Sequence, residues 1–301
     1  MIYKHSINHI QGIGVIKKDQ IYQIQITKSV PNLVNQHAFY QEENIVGYLQ
    51  DGHLVASFFA CILSRNVAFI RQDSKKYGTC NQLDGMHDSQ KPSVVFCNKA
   101  QLNYLLKTIG DFEIPNVTVY TFDTVLSDDL EIKRNTPYPL SLPNKTHDNI
   151  TKNVELLRNR EFYLSSGKVT TQYYETLKAA NTYETSLSAL SIFENILDFF
   201  DMCLGISYGG TYFATLNALA RGQVPVIIDS SKLKHNTELS DLCVPKNVAV
   251  LDDFVSTGIN YRLIKNSLKL QNSSLICMYG YDTSDGEIKI AHHFPRLASL
   301  L

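Results

Sequence analysis

Short apolar runs alternate along the chain with longer segments in which apolar residues recur at helical spacing. The clearest runs are 93–96 and 117–120 in the first half, and 248–251 and 275–278 in the second. Runs of this kind, bounded by polar residues, are typical of buried strands, and strands that alternate with helices form parallel sheets. The pattern therefore predicts an α/β fold with mainly parallel sheets flanked by helices.

The same order of elements occurs twice, on either side of the segment 135–144, which contains three prolines. In each half a strand runs into a loop that begins and ends with glycine, at 47–52 and 205–210, and a helical run follows. The equal loop spacing favours a duplication over a chance likeness between two α/β units. We therefore expect two tandem Rossmann-like domains, residues 1–134 and 145–301, joined by a proline-rich linker.

Composition and charge narrow the range of functions. The 301 residues are 44% hydrophobic and 19% charged, with a formal net charge of -1 and a pI near 6.7. No basic field is available for nucleic acid or an acidic membrane, so we expect a small-molecule partner, with no nucleic acid and no membrane. The six scattered cysteines indicate reduced thiols, and neither a signal peptide nor an apolar run of spanning length is visible, so we expect a cytoplasmic protein.

Two adjacent carboxylates follow the third strand of the second half. The run 248–251 delivers Asp252 and Asp253 to the carboxyl end of a parallel strand, where ligands bind in α/β sheets. A turn through Thr257 and Gly258 then opens a helix, and helix N-termini attract phosphate. Acids beside such a turn suit a ligand with sugar hydroxyls and a phosphate. The alternative is that the acids only start a turn and cap the helix.

The order of residues at this strand end resembles the signature of the type I phosphoribosyltransferases: four apolar residues, two acids, two apolar residues and Ser-Thr-Gly. The resemblance implies that Asp252 and Asp253 bind the ribose hydroxyls of phosphoribosyl pyrophosphate (PRPP), directly or near Mg²⁺. It also implies a binding site for the 5′-phosphate. The residues expected there are Ser256, Thr257, Gly258 and Asn260.

Within that superfamily the second half resembles orotate phosphoribosyltransferase. Segment 162–174 is similar to the early part of that family, which lies over the base and the pyrophosphate, and implies base binding by Lys168, Tyr173 and Tyr174. Loop 205–210 is similar to the family's pyrophosphate loop, Gly-Pro-Ala-Tyr-Lys-Gly, with a glycine in place of the lysine. The residues expected to hold pyrophosphate are Ser207, Tyr208, Gly209 and Gly210.

The first half departs from the signature, because Cys97 and Asn98 stand where the second half has the acid pair. We therefore expect no ribose site in the first half. Its polar loop, with Arg71, Lys75 and Lys76, resembles the catalytic loop that crosses to the partner's site in the dimeric family. The resemblance implies a pseudo-dimer within one chain, with one working site and a possible homodimer beyond it. The alternative is that the lysine loop is a solvated turn.

The identity of the base stays open. In the family an arginine after the fourth strand binds the carboxylate of orotate, and no arginine occurs at that place here. Asp282 and Asp285 would repel a carboxylate unless they are distant or paired, whereas Tyr279 and Tyr281 could stack on a neutral ring. Ser256 replaces the acid of purine-specific relatives, which makes a purine less expected.

Three functions are compatible with these features. The first is a Mg²⁺-dependent glycosyltransferase of nucleotide biosynthesis, in the pyrimidine branch if the base is orotate. It would join a nucleobase to the ribose 5-phosphate of PRPP and release pyrophosphate. The second is a non-catalytic regulator that senses PRPP or a nucleotide, favoured by Gly209 in place of lysine. The third is a kinase similar to PRPP synthetase, which would need ATP-binding residues in the first half that we do not identify.

Overall fold

The structure is a computed structural model. It describes residues 5–36, 44–72, 82–85, 87–111, 114, 116–127, 150–151, 154–163, 169–233, 239, 244–283, 285–296 and 299–300. The predicted linker 135–144 lies outside the described residues, and the predicted division at 1–134 and 145–301 stays a prediction.

Strands and helices alternate through most of the described chain. The strands are β1 (His5–Lys18), β2 (Ile21–Ile26), β3 (Asn44–Tyr48), β4 (Ala68–Ile70), β5 (Leu83–Gly85), β6 (Ser93–Asn98), β7 (Val117–Leu126), β8 (Glu155–Tyr163), β9 (Val169–Glu175), β10 (Met202–Ile206), β11 (Val226–Ile228), β12 (Asn247–Val255), β13 (Asn272–Gly280), β14 (Ile288–His293) and β15 (Ser299–Leu300). The α-helices are α1 (Val30–Gln36), α2 (Leu49–Ile62), α3 (Leu102–Asp111), α4 (Leu177–Ala180), α5 (Tyr183–Leu197), α6 (Thr211–Ala220) and α7 (Ile259–Ser267). No helix in the described part of the chain is long and apolar enough to cross a membrane.

Among the described strands, twelve form one sheet in the order β14-β13-β12-β10-β11-β2-β1-β7-β6-β3-β4-β5. Most neighbours are parallel, and the antiparallel pairs are β1 with β2, β2 with β11, and β4 with β5. The predicted α/β class is confirmed by this large, mainly parallel sheet with its helices. The two halves share the sheet, because β2 of the first half pairs with β11 of the second. A second sheet, β15-β9-β8, is antiparallel.

The two halves repeat the same strand arrangement. The order β4-β3-β6-β7 in the first matches β11-β10-β12-β13 in the second. The register matches as well, since Gly47 is the partner of Phe96 and Gly205 is the partner of Leu251. Beyond these four strands, β14 lies parallel to β13, and β1 takes the same place parallel to β7. The fifth strand of the first repeat therefore comes from the chain's N-terminal segment.

The two helices that follow the glycine loops form the centre of the molecule. Residues 51–61 of α2 and 211–219 of α6 are buried on every side, as expected for helices packed both on a sheet and on another helix. The two helices contact each other, and the Tyr212 hydroxyl of α6 donates to the carbonyl of Arg65 just beyond α2. The hydrophobic core is therefore continuous between the halves.

Candidate functional site

Glycine allows each loop helix to start against the third strand of its own half. A Cβ at Gly52 would lie 2.4 Å from the carbonyl oxygen of Phe96, and a Cβ at Gly210 would lie 1.9 Å from that of Leu251. Neither position tolerates a side chain without movement of the backbone. These contacts make Phe96 equivalent to Leu251 in space, so the residues that follow each strand can be compared directly.

The acid pair lies at the carboxyl end of β12, beside the second sheet. The backbone N–H of Asp253 donates to Asp252 Oδ1 at 2.9 Å, and Thr176 Oγ1 donates to Asp253 Oδ2 at 2.9 Å. Thr176 follows β9, and the sequence analysis missed it because this contact joins distant parts of the chain. The hydroxyl fixes one carboxylate while both side chains stay half-buried and reachable from solvent.

The electrostatics of the pair favour a ligand that brings donors or positive charge. Burial, and after it the charge of Asp253, raises the pKa of Asp252 well above its usual range. In the described part of the chain neither carboxylate forms an ion pair. A diol, which donates hydrogen bonds, or a divalent cation would relieve this repulsion.

Gly209 of the loop lies directly against the acid pair. A Cβ there would be 1.9 Å from Asp253 Oδ1 and 2.9 Å from Asp252 Oδ1. A lysine at this position would displace the carboxylates, so the close approach of the loop to the acids explains why the residue is glycine. The loop backbone, with Ser207 half-buried and Gly210 buried, reaches the acids without an intervening side chain.

The turn after β12 has the geometry expected of an anion-binding helix start. Gly258 takes a left-handed conformation, with φ of 72°, immediately before α7. Ser256, Thr257 and Asn260 are exposed around it. Arg262 was not predicted as a site residue. Its Nη2 donates to the Thr257 carbonyl and thereby holds the turn.

A cation of the first half reaches the glycine loop of the second. The guanidinium carbon of Arg71 lies 4.0 Å from the ring centroid of Tyr208, and the same ring stacks on Phe69 at 4.6 Å. Arg71 Nε donates to Asp84 Oδ2 at 3.1 Å. The structure therefore brings together Arg71 and Tyr208, two predicted site residues from opposite halves.

The first glycine loop makes the equivalent contact to the second half, but with different residue types. Gln50 is the fourth residue of the first glycine loop, as Tyr208 is of the second, and Asp229 follows β11 as Arg71 follows β4. Gln50 Nε2 donates to Asp229 Oδ2 at 2.9 Å. One loop thus faces a guanidinium from the other half, while its counterpart faces a carboxylate.

The first half holds its own carboxylate where the second half has Gly209. Asp51 is buried, and it accepts hydrogen bonds from the Gly52 N–H at 2.9 Å, Thr124 Oγ1 at 2.9 Å and Asn98 Nδ2 at 3.2 Å. Burial raises the pKa of Asp51. Cys97 and Asn98 occupy the positions of the acid pair, and the absence of a ribose site in the first half stays a prediction. Asp51 was not predicted as a site residue, because two of its three partners, Asn98 and Thr124, lie on other elements.

The chain resembles solved phosphoribosyltransferases over part of its length. Orotate phosphoribosyltransferase from Aeropyrum pernix is 20% identical, with a TM-score of 0.35, over 47% of this chain and 82% of that chain. UMP synthase from Leishmania donovani is 15% identical, with a TM-score of 0.33, over 49% and 34% of the two chains. Purine phosphoribosyltransferase from Pyrococcus horikoshii Ot3 is 16% identical, with a TM-score of 0.23, over 36% and 90%. No family model and no curated protein matches the chain.

Tyrosines expected to face a base contact aromatic rings of the protein. Tyr174 stacks on Phe294 at 4.1 Å, and Phe294 lies 5.6 Å from the ring of Tyr279. Tyr279 is fully buried and its hydroxyl donates to the Ile150 carbonyl, so the expectation that it stacks on a ligand is wrong. Tyr173 stacks on Phe162 within the second sheet.

Both acids in the segment after β13 have partners. Asp282 Oδ1 lies 2.6 Å from His293 Nδ1, and Arg296 Nη2 donates to the Asp282 carbonyl at 3.0 Å. Asp285 Oδ2 lies 3.6 Å from Arg262 Nη1. Asp285 is therefore paired with a permanent cation, whereas Asp282 is paired with a charge only when His293 carries a proton. Arg296 is an exposed cation that the sequence analysis did not expect here.

Some predicted site residues cannot be placed. Lys75, Lys76 and Lys168 lie outside the described residues. In the described part of the chain, no group of three His, Cys, Asp or Glu side chains could hold a metal ion. The donor set that fits Mg²⁺ is the carboxylate pair, Asp252 and Asp253, because this ion is commonly bound by one or two carboxylates and completed by water and substrate phosphates.

Proposed function

We propose that the protein is a PRPP-dependent phosphoribosyltransferase whose working site lies in the second half. The observation that carries the proposal is the packing of Gly209 against Asp252 and Asp253. It brings the glycine loop to a carboxylate pair. In the described structure the N–H groups of Ser207 and Gly210 donate to the carbonyls of Ile228 and Ile206, so the N–H groups of Tyr208 and Gly209 are the ones that would donate to a ligand. A ligand that joins a diol to a diphosphate matches this juxtaposition, because the acids accept from hydroxyls and the loop donates to phosphate.

The 5′-phosphate of PRPP would bind at the start of α7. Gly258, in its left-handed conformation, precedes the helix start, whose N–H groups would donate to the phosphate. Ser256, Thr257 and Asn260 are exposed and would add side-chain donors. Arg262 would keep the Thr257 carbonyl away from the phosphate.

The pyrophosphate would bind at Ser207, Tyr208, Gly209 and Gly210, with Arg71 reaching it from the first half. In the reaction the bond from ribose C1 to the pyrophosphate oxygen breaks, a bond from C1 to a base nitrogen forms, and the proton of that nitrogen passes to the departing pyrophosphate or to water. Positive charge grows on the sugar and negative charge on the leaving group, and the guanidinium stabilises the latter. Mg²⁺, when bound at Asp252 and Asp253, would supply further positive charge to the phosphates.

The acceptor would enter beside the segment that follows β13. Arg296 and Tyr174 belong to this region, and they suit a flat ring that carries a negative group. Orotate has this chemistry, and another nucleobase with an anionic substituent would fit as well. Lys168 lies outside the described residues and stays a predicted base-binding residue.

A second candidate function is PRPP sensing without turnover. Gly209 favours it, because the loop lacks the lysine that the family resemblance places there. The two candidates share the binding site and differ only in chemistry.

The deciding experiment is incubation of the protein with Mg²⁺, PRPP and a panel of nucleobases, with pyrophosphate release as the measurement. We expect release with at least one base, and loss of release in Asp253→Asn. The exposed Asp111→Asn, far from the acid pair in sequence and at the end of α3, is the control and should behave like wild type. Thermal stabilisation by PRPP without release from any base would support the sensor, and formation of AMP from ATP and ribose 5-phosphate would support the kinase.

A further inference from the structure

Asp84 is a buried carboxylate outside every motif that the sequence suggested. It lies in the middle of β5, an edge strand, and its side chain is 2% exposed. Its Oδ2 accepts from Arg71 Nε at 3.1 Å. A buried carboxylate of this kind is costly unless it is paired, so the pair fixes both side chains.

The backbone at Arg71 is held by the same edge hairpin. Its N–H donates to the Gln82 carbonyl at 2.9 Å, and Gln82 Nε2 donates to the carbonyls of Arg71 at 2.9 Å and Gln72 at 2.8 Å. The residue is thus fixed at the main chain by Gln82 and at the side chain by Asp84.

The orientation of the guanidinium follows from these contacts. Asp84 accepts a hydrogen bond from Nε, and the guanidinium carbon lies 4.0 Å from the ring centroid of Tyr208 in the glycine loop. No hydrogen bond from either Nη group of Arg71 occurs within the part of the chain that the structure describes. A guanidinium held at Nε keeps its terminal fork for a second anion, and that fork matches phosphate oxygens.

Among the described residues, the second repeat has no equivalent of the pair of Arg71 and Asp84. The residue after β11 is Asp229, and β11 has β2 of the first half as its neighbour where β4 has β5. In the described structure the pair of Arg71 and Asp84 therefore lies on the side where the guanidinium faces the glycine loop of the proposed working site.

We propose that Asp84 is a positioning residue for catalysis, which directs Arg71 of the first half at the pyrophosphate bound by the second half. This inference rests on the proposed function. Asp84 does not touch the substrate. It holds the Arg71 guanidinium, which would contact the substrate. A displacement of about 1 Å in a group that contacts the substrate can lower the rate about a hundred-fold.

The test compares Asp84→Asn, Asp84→Glu and Arg71→Gln, together with the double variant that combines Asp84→Asn with Arg71→Gln. Binding of PRPP and of magnesium pyrophosphate is measured by calorimetry, and KM and kcat by pyrophosphate release. We expect Asp84→Asn to weaken pyrophosphate binding about ten-fold or more, with partial recovery in Asp84→Glu. In the Arg71→Gln background Asp84→Asn should add nothing, because there is no guanidinium left to direct.

Asp198→Asn is the matched control. It removes the ion pair of Asp198 and Arg221, which has the same N···O distance of 3.1 Å but lies at the end of α5. This variant should leave pyrophosphate affinity unchanged. Arg71→Lys is a second probe that keeps Asp84 in place. A lysine has one ammonium group and cannot bind Asp84 and phosphate with separate donors, so it should resemble Arg71→Gln.

Several results would overturn the inference. These are wild-type pyrophosphate affinity in Asp84→Asn, an equal loss from Asp84→Asn in the presence and absence of Arg71, or full activity of Arg71→Lys. Failure of the wild-type protein to bind PRPP would instead reject the proposed function itself.

Discussion

The guanidinium carbon of Arg71 lies 4.0 Å from the ring centroid of Tyr208, so a cation of the first half covers the glycine loop of the second. The reverse contact pairs Gln50 with Asp229 at 2.9 Å and brings a carboxylate in place of the cation. The two halves have matching strand orders, but their glycine loops have different surroundings. Within the described ranges, the second loop is the one that combines a cation with a pair of acids.

Replacement of Gly209 by alanine should disturb the acid pair directly. The new Cβ would meet Asp253 Oδ1 at 1.9 Å, so the carboxylate must move. We expect PRPP affinity to fall about ten-fold or more while the fold is retained, because the groups that shift are half-buried side chains. Gly286→Ala is the control, since no atom lies within 4 Å of a Cβ at that position. Equal PRPP affinity in both variants would contradict the assigned role of Gly209.

PRPP binding should depend on pH through Asp252. Its pKa is raised, so it keeps a proton at pH values where an ordinary aspartate is ionised. Ligands that need both carboxylates should bind more tightly as the pH rises through that raised pKa. Calorimetric titration across the pH range should show this increase in wild type, and a weaker, flatter dependence in Asp252→Asn. A pH-independent affinity in wild type would be incompatible with the pair as the binding site.

Asp51 should influence stability and leave PRPP binding unchanged. Its folded-state pKa is raised, so folding favours the protonated form, and its contribution to stability is fully present below the unfolded pKa. That contribution is lost as the pH rises through the folded pKa. Urea denaturation at a series of pH values should give a smaller slope for Asp51→Asn than for wild type. Asp252 adds a slope of the same sign, so some dependence should persist.

Arg296→Gln should raise KM for an anionic base about ten-fold without changing KM for PRPP, because the guanidinium would pair with the substituent of the ring. Lys289→Gln, an exposed cation on β14, is the comparison and should change neither constant. If Arg296→Gln also left both KM values unchanged, the base would not bind beside the segment that follows β13.

The features that local sequence determines could be predicted. The apolar runs predicted the strands, and the equal glycine spacing predicted the repeated arrangement. Comparison of the two halves also identified Cys97 and Asn98 as the residues equivalent to the acid pair. These features depend on hydrophobic periodicity and on glycine at close approaches, both of which are visible in neighbouring residues.

Contacts between distant parts of the chain could not be predicted. The pairing of β2 with β11 joins the halves into one sheet. In the first repeat the fifth strand is β1, which precedes the other four in sequence, whereas in the second repeat it is β14, which follows them. Thr176 and Asp84 reach the site through partners on separate elements. Nothing in the residues beside them indicates those partners.

The most direct test of the central claim is calorimetric titration of PRPP, in the presence of Mg²⁺, into wild-type protein and into the variant with both Asp252→Asn and Asp253→Asn. We predict saturable binding of one PRPP per chain in wild type and its loss in the double variant, with Asp51→Asn binding as wild type does. Two PRPP molecules per chain, or undiminished binding after removal of both carboxylates, would contradict a single site in the second half.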